Sequence, residues 1–272
     1  MKHSTTQSGF TLIELAVVML ILAFLLTSAF MSITALRKTA NINEANQKMA
    51  EIEQALYGFA VANGRLPCPT IPGLGGVSNP ADPTIAAAGQ QHCANSPNIA
   101  GYIGFVPSTT LGIQGQVNCD GLLLDPWNRP YRYSISNVDA GNGRGDFVTT
   151  DDLTNANEGM ANVTADLQVC RNLATTCLAG TAAANIIANN AVAVIFSMGE
   201  PRANSLRENE NAGEAGAVIP SLCGAGNYPV SNDRFYYSAP IVERAGSEFD
   251  DLLIWISPNI LFNKLLDANR LP

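Results

Sequence analysis

The run from Leu15 to Leu36 (LAVVMLILAFLLTSAFMSITAL) constrains this chain more than any other stretch. It holds no charge and no proline. At about 1.5 Å per residue it reaches roughly 33 Å as a helix, enough for the ~30 Å hydrocarbon core of a bilayer. A short polar leader, Met1 to Gly9, precedes it, and one carboxylate, Glu14, stands at its edge. An ionised group there is costly unless it finds a partner, so a function is expected of it. A cleavable secretory signal would have an apolar stretch of about 7–15 residues, shorter than this one. Thr27-Ser28-Ala29 would be its small-residue cleavage site. Neither a signal nor a plain anchor explains a glutamate five residues after Gly9.

Gly9-Phe10-Thr11-Leu12-Ile13-Glu14 resembles the processing site of type IV pilins and of the pseudopilins of type II secretion. The resemblance implies that a prepilin peptidase cuts after Gly9 on the cytoplasmic side and methylates the new amine of Phe10. It also implies that Glu14, fifth in the mature chain, neutralises the α-amine of a neighbouring subunit's Phe10 as the filament grows. Where solvent is scarce such a pair is far stronger than in water. The division expected is a leader over 1–9, a transmembrane and filament-core helix over 10–36, its amphipathic half over 37–63, and a periplasmic head over 64–272. The charges flanking the run do not orient it by themselves: Lys2 and His3 precede it, Arg37 and Lys38 follow. A cytoplasmic leader and a periplasmic head are what the resemblance implies.

Beyond Arg37 the helix is expected to continue with one wet face. Ile42, Met49 and Leu56 recur every seven residues, with Ala45, Ile52 and Phe59 three further on. Asn43, Glu44, Lys48, Glu51 and Glu53 lie off that stripe. Asn63-Gly64 and then Pro67 supply the stop. Phe10 to Asn63 thus reads as one helix, about 80 Å long if straight.

The head reads as α+β: a pilin-like antiparallel sheet against the long helix, with large loop insertions. Residues 66–116, rich in Pro, Gly, Asn and Ala, read as a long surface-forming loop. Asp125-Pro126-Trp127-Asn128-Arg129-Pro130-Tyr131-Arg132-Tyr133 is similar to the turn that leads into the first head strand of major pseudopilins. Two prolines make the turn rigid, Tyr131, Tyr133 and Ile135 alternate onto one strand face, and Trp127 and Tyr131 read as core aromatics. Ala191 to Ser197 reads as a buried central strand, Phe235 to Ser238 and Phe249 to Ser257 as further strands, and Asn259 to Asn269 as a closing helix opened by Pro258.

Six cysteines, Cys68, Cys93, Cys119, Cys170, Cys177 and Cys223, all follow the apolar run, which suggests disulfides in an oxidising compartment. Their pairing is open among the possible sets; Cys170 and Cys177 are the closest in sequence and the best local candidates. With two histidines and no C-x-x-C, a zinc or redox centre is not expected. Two acidic, Gly- and Asn-rich loops offer oxygen ligands for a structural calcium: Asp139, Asn142, Asp146, Asp151 and Asp152 in one, Glu208 and Glu210 in the other. Their spacing matches no EF-hand, and solvated turns are the simpler reading. No other cofactor is expected.

A net charge of −8 with only 15 Lys and Arg argues against a nucleic-acid surface, and no nucleic-acid partner is expected. No nucleophile elbow, zinc-protease helix, P-loop or dinucleotide fingerprint occurs, so enzymatic activity is not expected. The expected role is a structural subunit of a type IV pilus or type II secretion pseudopilus, held in the inner membrane before assembly. Its partners would be the prepilin peptidase and other pilin or pseudopilin subunits. The large head favours a minor or specialised subunit, and Glu14 argues against the tip-most pseudopilin, which typically lacks that residue. The alternative is a pilin-anchored adhesin or ligand-binding module acting through the 66–116 and 200–232 loops.

Overall fold

The structure, a computed structural model, describes residues 11–78, 93, 102–138, 145–149, 153, 163–171, 185–201, 218–224, 227–229, 234–241 and 249–271, with backbone alone for 26–35. The chain divides into two compact units, Met1–Asn43 and Glu44–Pro272. Helix α1, Leu12–Asn63, passes through the division.

In the first unit every described side chain from Thr11 to Leu25 is exposed, and most are large and apolar. Among the described residues no helix is long and apolar enough to cross a membrane.

In the second unit α1 turns amphipathic. Ala45, Met49, Ile52, Leu56 and Ala60 are all fully buried. Their spacing of three and four places them on one helix face. Phe59, expected on the stripe, is half-buried, and Ala60 takes its place. A straight helix of 3.6 residues per turn drifts away from a strict seven-residue repeat in this way. Gly64 closes the helix with φ 67° and donates its N–H to the Ala60 carbonyl at 2.8 Å. The last turn of α1 carries no basic residue. Arg270, near the other end of the chain, supplies one by donating from Nη2 to the Ala62 carbonyl at 3.0 Å. A cation beside exposed helix carbonyls is worth about 0.3–1 kcal/mol, so Arg270→Ala should lower stability by roughly that amount. Urea unfolding at low and high salt measures it, with the smaller difference expected at high salt.

Four strands form the main sheet: β1 (Ile103–Phe105), β2 (Arg132–Ile135), β5 (Ala193–Ser197) and β9 (Leu252–Ile256), in the order β1-β2-β5-β9 and antiparallel throughout. The inner pair, β2 and β5, is buried at every position. Tyr131, Tyr133 and Ile135 are buried as expected, but Arg132 and Ser134 between them are buried too, so the second face of β2 is also covered. A second sheet of β3 (Leu167–Cys170), β4 (Ile186–Ala191) and β8 (Phe235–Tyr237) has the order β4-β3-β8. Here β3 and β8 run parallel, a departure from the antiparallel expectation. Val192 alone separates β4 from β5, so one extended segment serves both sheets. Leu167, Val169, Val194, Phe196, Met198 and Tyr236 form a core drawn from strands of both. A small hairpin, β6 (Val218–Pro220) and β7 (Asn227–Pro229), stands apart.

The reading of 66–116 as surface loop needs correction. Leu66 to Thr70 are buried throughout. Thr70 and Phe105 exchange both backbone hydrogen bonds, at 2.9 and 3.0 Å, so this segment extends the edge of β1. Pro67 and Pro69 have no N–H to satisfy, which suits them to an irregular buried edge. Helix α2 (Ser108–Leu111) breaks the segment further. At the chain end, α3 (Pro258–Asp267) starts at its proline and buries Pro258, Leu261, Phe262 and Leu265, matching the sequence reading.

Candidate functional site

The N-terminal motif is seen from Thr11 onward; Gly9 and Phe10 lie outside the described residues. Thr11 stands just before the first residue of α1, and Glu14 falls in its first turn. The two close a reciprocal cap. Thr11 donates its backbone N–H (2.9 Å) and its hydroxyl (2.8 Å) to Glu14 Oε2. The Glu14 N–H in turn reaches Thr11 Oγ1 at 3.4 Å. This is a capping box, with the carboxylate also placed favourably against the positive end of the helix. Thr11 was not among the sequence candidates, although Thr-x-x-Glu before an apolar run is the signature of that cap. The arrangement directs the one carboxylate of the apolar segment at the amide that links Phe10 to Thr11.

In the head, the Asp125 turn is organised by its own side chain. Asp125 Oδ1 accepts the N–H groups of Trp127 (2.9 Å) and Arg129 (2.8 Å). Oδ2 accepts the Ser197 hydroxyl at 2.6 Å, tying the turn to the end of β5. Burial raises the Asp125 carboxyl above its ordinary pKa, against the opposing hydrogen bonds. Asn128 takes a left-handed φ of 64°, a conformation asparagine tolerates better than most residues. Trp127, expected in the core, is half-buried; Tyr131 is buried as expected. The second face of β2 is closed by Arg132. Its guanidinium stacks 4.5 Å from the Phe105 ring centre and 5.8 Å from that of Tyr228. Burial, then the neighbouring Arg129, depress its pKa to about 9.

Two disulfides are Cys68–Cys93 and Cys119–Cys223. Cys170 is disulfide-bonded as well; Cys177, its expected partner, lies outside the described residues. The Cys119–Cys223 bridge pins hairpin β6–β7 to the turn at Asn118–Gly121, and Asp120 reinforces it. The buried Asp120 carboxylate accepts the hydroxyls of Ser221 (2.7 Å) and Tyr228 (2.7 Å) and the N–H of Leu222 (2.9 Å). Burial pushes this carboxyl up, but those hydrogen bonds outweigh it and hold its pKa below the ordinary value.

Of the calcium candidates, Asp139, Asn142, Asp151, Asp152, Glu208 and Glu210 lie outside the described residues. Asp146 is fully buried in a short turn, and its N–H bonds the Val138 carbonyl at 3.0 Å. Among the described residues one other group, Cys119, Asp120 and Cys223, has ligand atoms close enough together to hold a metal ion. Its two sulfurs are already joined, and both Asp120 oxygens accept hydrogen bonds. That donor set is spent on the staple.

A family model, the prokaryotic N-terminal methylation motif, matches residues 4–30, a span that contains Gly9, Phe10 and Glu14. No curated protein and no solved structure matches the chain. The chain carries, over residues 4–30, the N-terminal methylation motif that is the hallmark of type IV pilins and pseudopilins.

Proposed function

We propose that this chain is a structural, non-catalytic filament subunit, minor or specialised, of a type IV pilus or a type II secretion pseudopilus. It needs no cofactor for that role. Prepilin peptidase cuts it after Gly9 and methylates the amine of Phe10. The span from Leu15 to Leu36 then holds it in the inner membrane, with the head in the periplasm, until it joins other subunits through α1. The observation that carries this reading is the methylation motif over residues 4–30. The exposed apolar side chains of α1 from Leu12 to Leu25 support it, because they need a membrane or neighbouring helices to cover them. The disulfides support an oxidising compartment.

Within this reading Glu14 has two partners in sequence. In the free subunit it closes the cap with Thr11. In the filament it exchanges that uncharged donor for the Phe10 ammonium of a neighbour, an ion pair that gains strength where solvent is scarce. Glu14→Ala tests this. Cleavage after Gly9 should continue, while the variant's incorporation into filaments, scored by shearing and immunoblotting, should fall at least about tenfold, the equivalent of ~1.4 kcal/mol. Normal incorporation of Glu14→Ala would contradict the pairing.

A further inference from the structure

The described cysteines differ in what can reach them. Cys68, Cys93 and the disulfide-bonded Cys170 are buried, whereas Cys119 and Cys223 are both exposed. The exposed bridge also has a charged neighbour. A carboxylate oxygen of Asp120 lies within 4.8 Å of both Cys119 Sγ and Cys223 Sγ. Uncharged donors hold it there: the Ser221 and Tyr228 hydroxyls and the Leu222 N–H. Among the described residues no cation is paired with it. Its backbone is fixed as well. The Asp120 N–H donates to Asn118 Oδ1 at 3.0 Å, and its carbonyl accepts the Gly73 N–H at 3.2 Å. The carboxylate is thus fixed beside the two sulfurs, and its hydrogen bonds keep it ionised at neutral pH.

We propose that Cys119–Cys223 is a thiol-exchange site and that Asp120 selects its substrates, admitting thiols that carry positive charge and holding off those that carry negative charge. The attacking thiolate forms a new S–S bond to one cysteine sulfur as the Cys119–Cys223 bond breaks. The electron pair leaves on the other sulfur, which then takes a proton from water. In that transition state negative charge spreads over the sulfurs beside Asp120, and the barrier rises. A cation on the incoming thiol lowers it again; an anion raises it further. Even at the dielectric of water, unit charges about 5 Å apart change a rate about fourfold. With a dithiol, its second sulfur completes the exchange: two electrons and two protons pass to the protein, and the dithiol leaves as its own disulfide. Asp120 touches no reacting atom and is a specificity-determining residue, acting through its charge. The buried cysteines are kept from exchange by access alone. This site belongs to the head and stands independently of the N-terminal motif.

The test treats the full chain, in an uncharged detergent at neutral pH, with cysteamine (cationic) or 2-mercaptoethanesulfonate (anionic). Alkylation with iodoacetamide and peptide mass mapping then report which bridge has opened. Cys119–Cys223 should open at least about tenfold faster than Cys68–Cys93, because access governs exchange. At the exposed bridge cysteamine should outpace the sulfonate at least about threefold more than it does on hydroxyethyl disulfide, an uncharged reference. Asp120→Asn should reduce that preference at least about twofold. Mere loosening of the hairpin would speed both reagents alike and leave the preference unchanged. Leu222→Lys, at a position 72% exposed, should fold as the parent does and weaken the preference too, by setting a cation beside the bridge. Opening of Cys68–Cys93 first, or at the same rate, overturns the exchange site. A preference no greater than on the reference disulfide, or one unchanged in Asp120→Asn or in Leu222→Lys, overturns the selection by Asp120.

Discussion

Replacing Cys119 and Cys223 together by serine should lower the stability of the head by about 4 kcal/mol, within the range for loss of a native disulfide. The bridge closes a sequence separation of 104 residues, against 25 for Cys68–Cys93. Loop-closure entropy grows slowly with length, so the longer bridge is worth about 1 kcal/mol more than the shorter one. Both Cys119 and Cys223 are exposed, so the serine hydroxyls stay hydrated and no cavity is opened. The cost therefore falls on the unfolded chain, which gains freedom. Hairpin β6–β7 is not released outright, because Asp120 still accepts its bonds from Ser221, Leu222 and Tyr228. That remaining tie depends on pH. The Asp120 carboxyl is held below its ordinary pKa, so its stabilisation is present above the unfolded value and is lost as pH falls through the folded one. The double serine variant should accordingly lose the hairpin on acidification before the parent does. Urea unfolding of parent and variant at neutral and acidic pH measures both effects, and coincident midpoints at neutral pH would contradict the first.

Asp125→Ala is expected to cost about 3 kcal/mol, because it strands several buried polar groups at once. The Ser197 hydroxyl is fully buried and donates to Asp125 Oδ2. The N–H groups of Trp127 and Arg129 lose Oδ1, their shared acceptor. With them goes the tie between the turn before β2 and the end of β5, the two central strands of the main sheet. Asp125→Asn keeps a carbonyl acceptor for both N–H groups and should cost only about 1 kcal/mol. The two variants also separate the charge from the hydrogen bonds. Burial raises the Asp125 carboxyl above its ordinary pKa. A carboxyl raised in the folded state favours folding in its protonated form, and that advantage is lost as pH rises from the ordinary carboxylate range through the raised value. In Asp125→Asn the slope of stability over that window should vanish; an unchanged slope would show that Asp125 is not its source.

Features readable in the chain were those with a strong local signal. The stop of α1 at Asn63-Gly64 rests on a glycine with positive φ, and β5, β9 and α3 rest on uninterrupted apolar runs or helical spacing. The N-terminal motif was legible for the same reason: all its residues are adjacent. Strands β1, β3, β4, β6 and β7 were not: β1, β6 and β7 are three residues long, too short to show an alternation, and β3 and β4 pair through a shifted register. Leu66 to Thr70 looked like loop because its prolines are turn formers, yet the pairing of Thr70 with Phe105 buries it. Asp120 looked like one more acid in a turn. Its partners lie 101 to 108 residues away, and nothing local announces them. The Thr11–Glu14 cap was legible but hidden behind the processing motif that overlaps it.

The central claim is that the mature chain begins at Phe10, and intact-mass analysis of the protein from its native membrane tests it most directly. The account predicts a chain starting at Phe10 and carrying one added methyl group. A chain that retains Met1, or one that starts near Phe30 after a conventional signal cleavage, would contradict it.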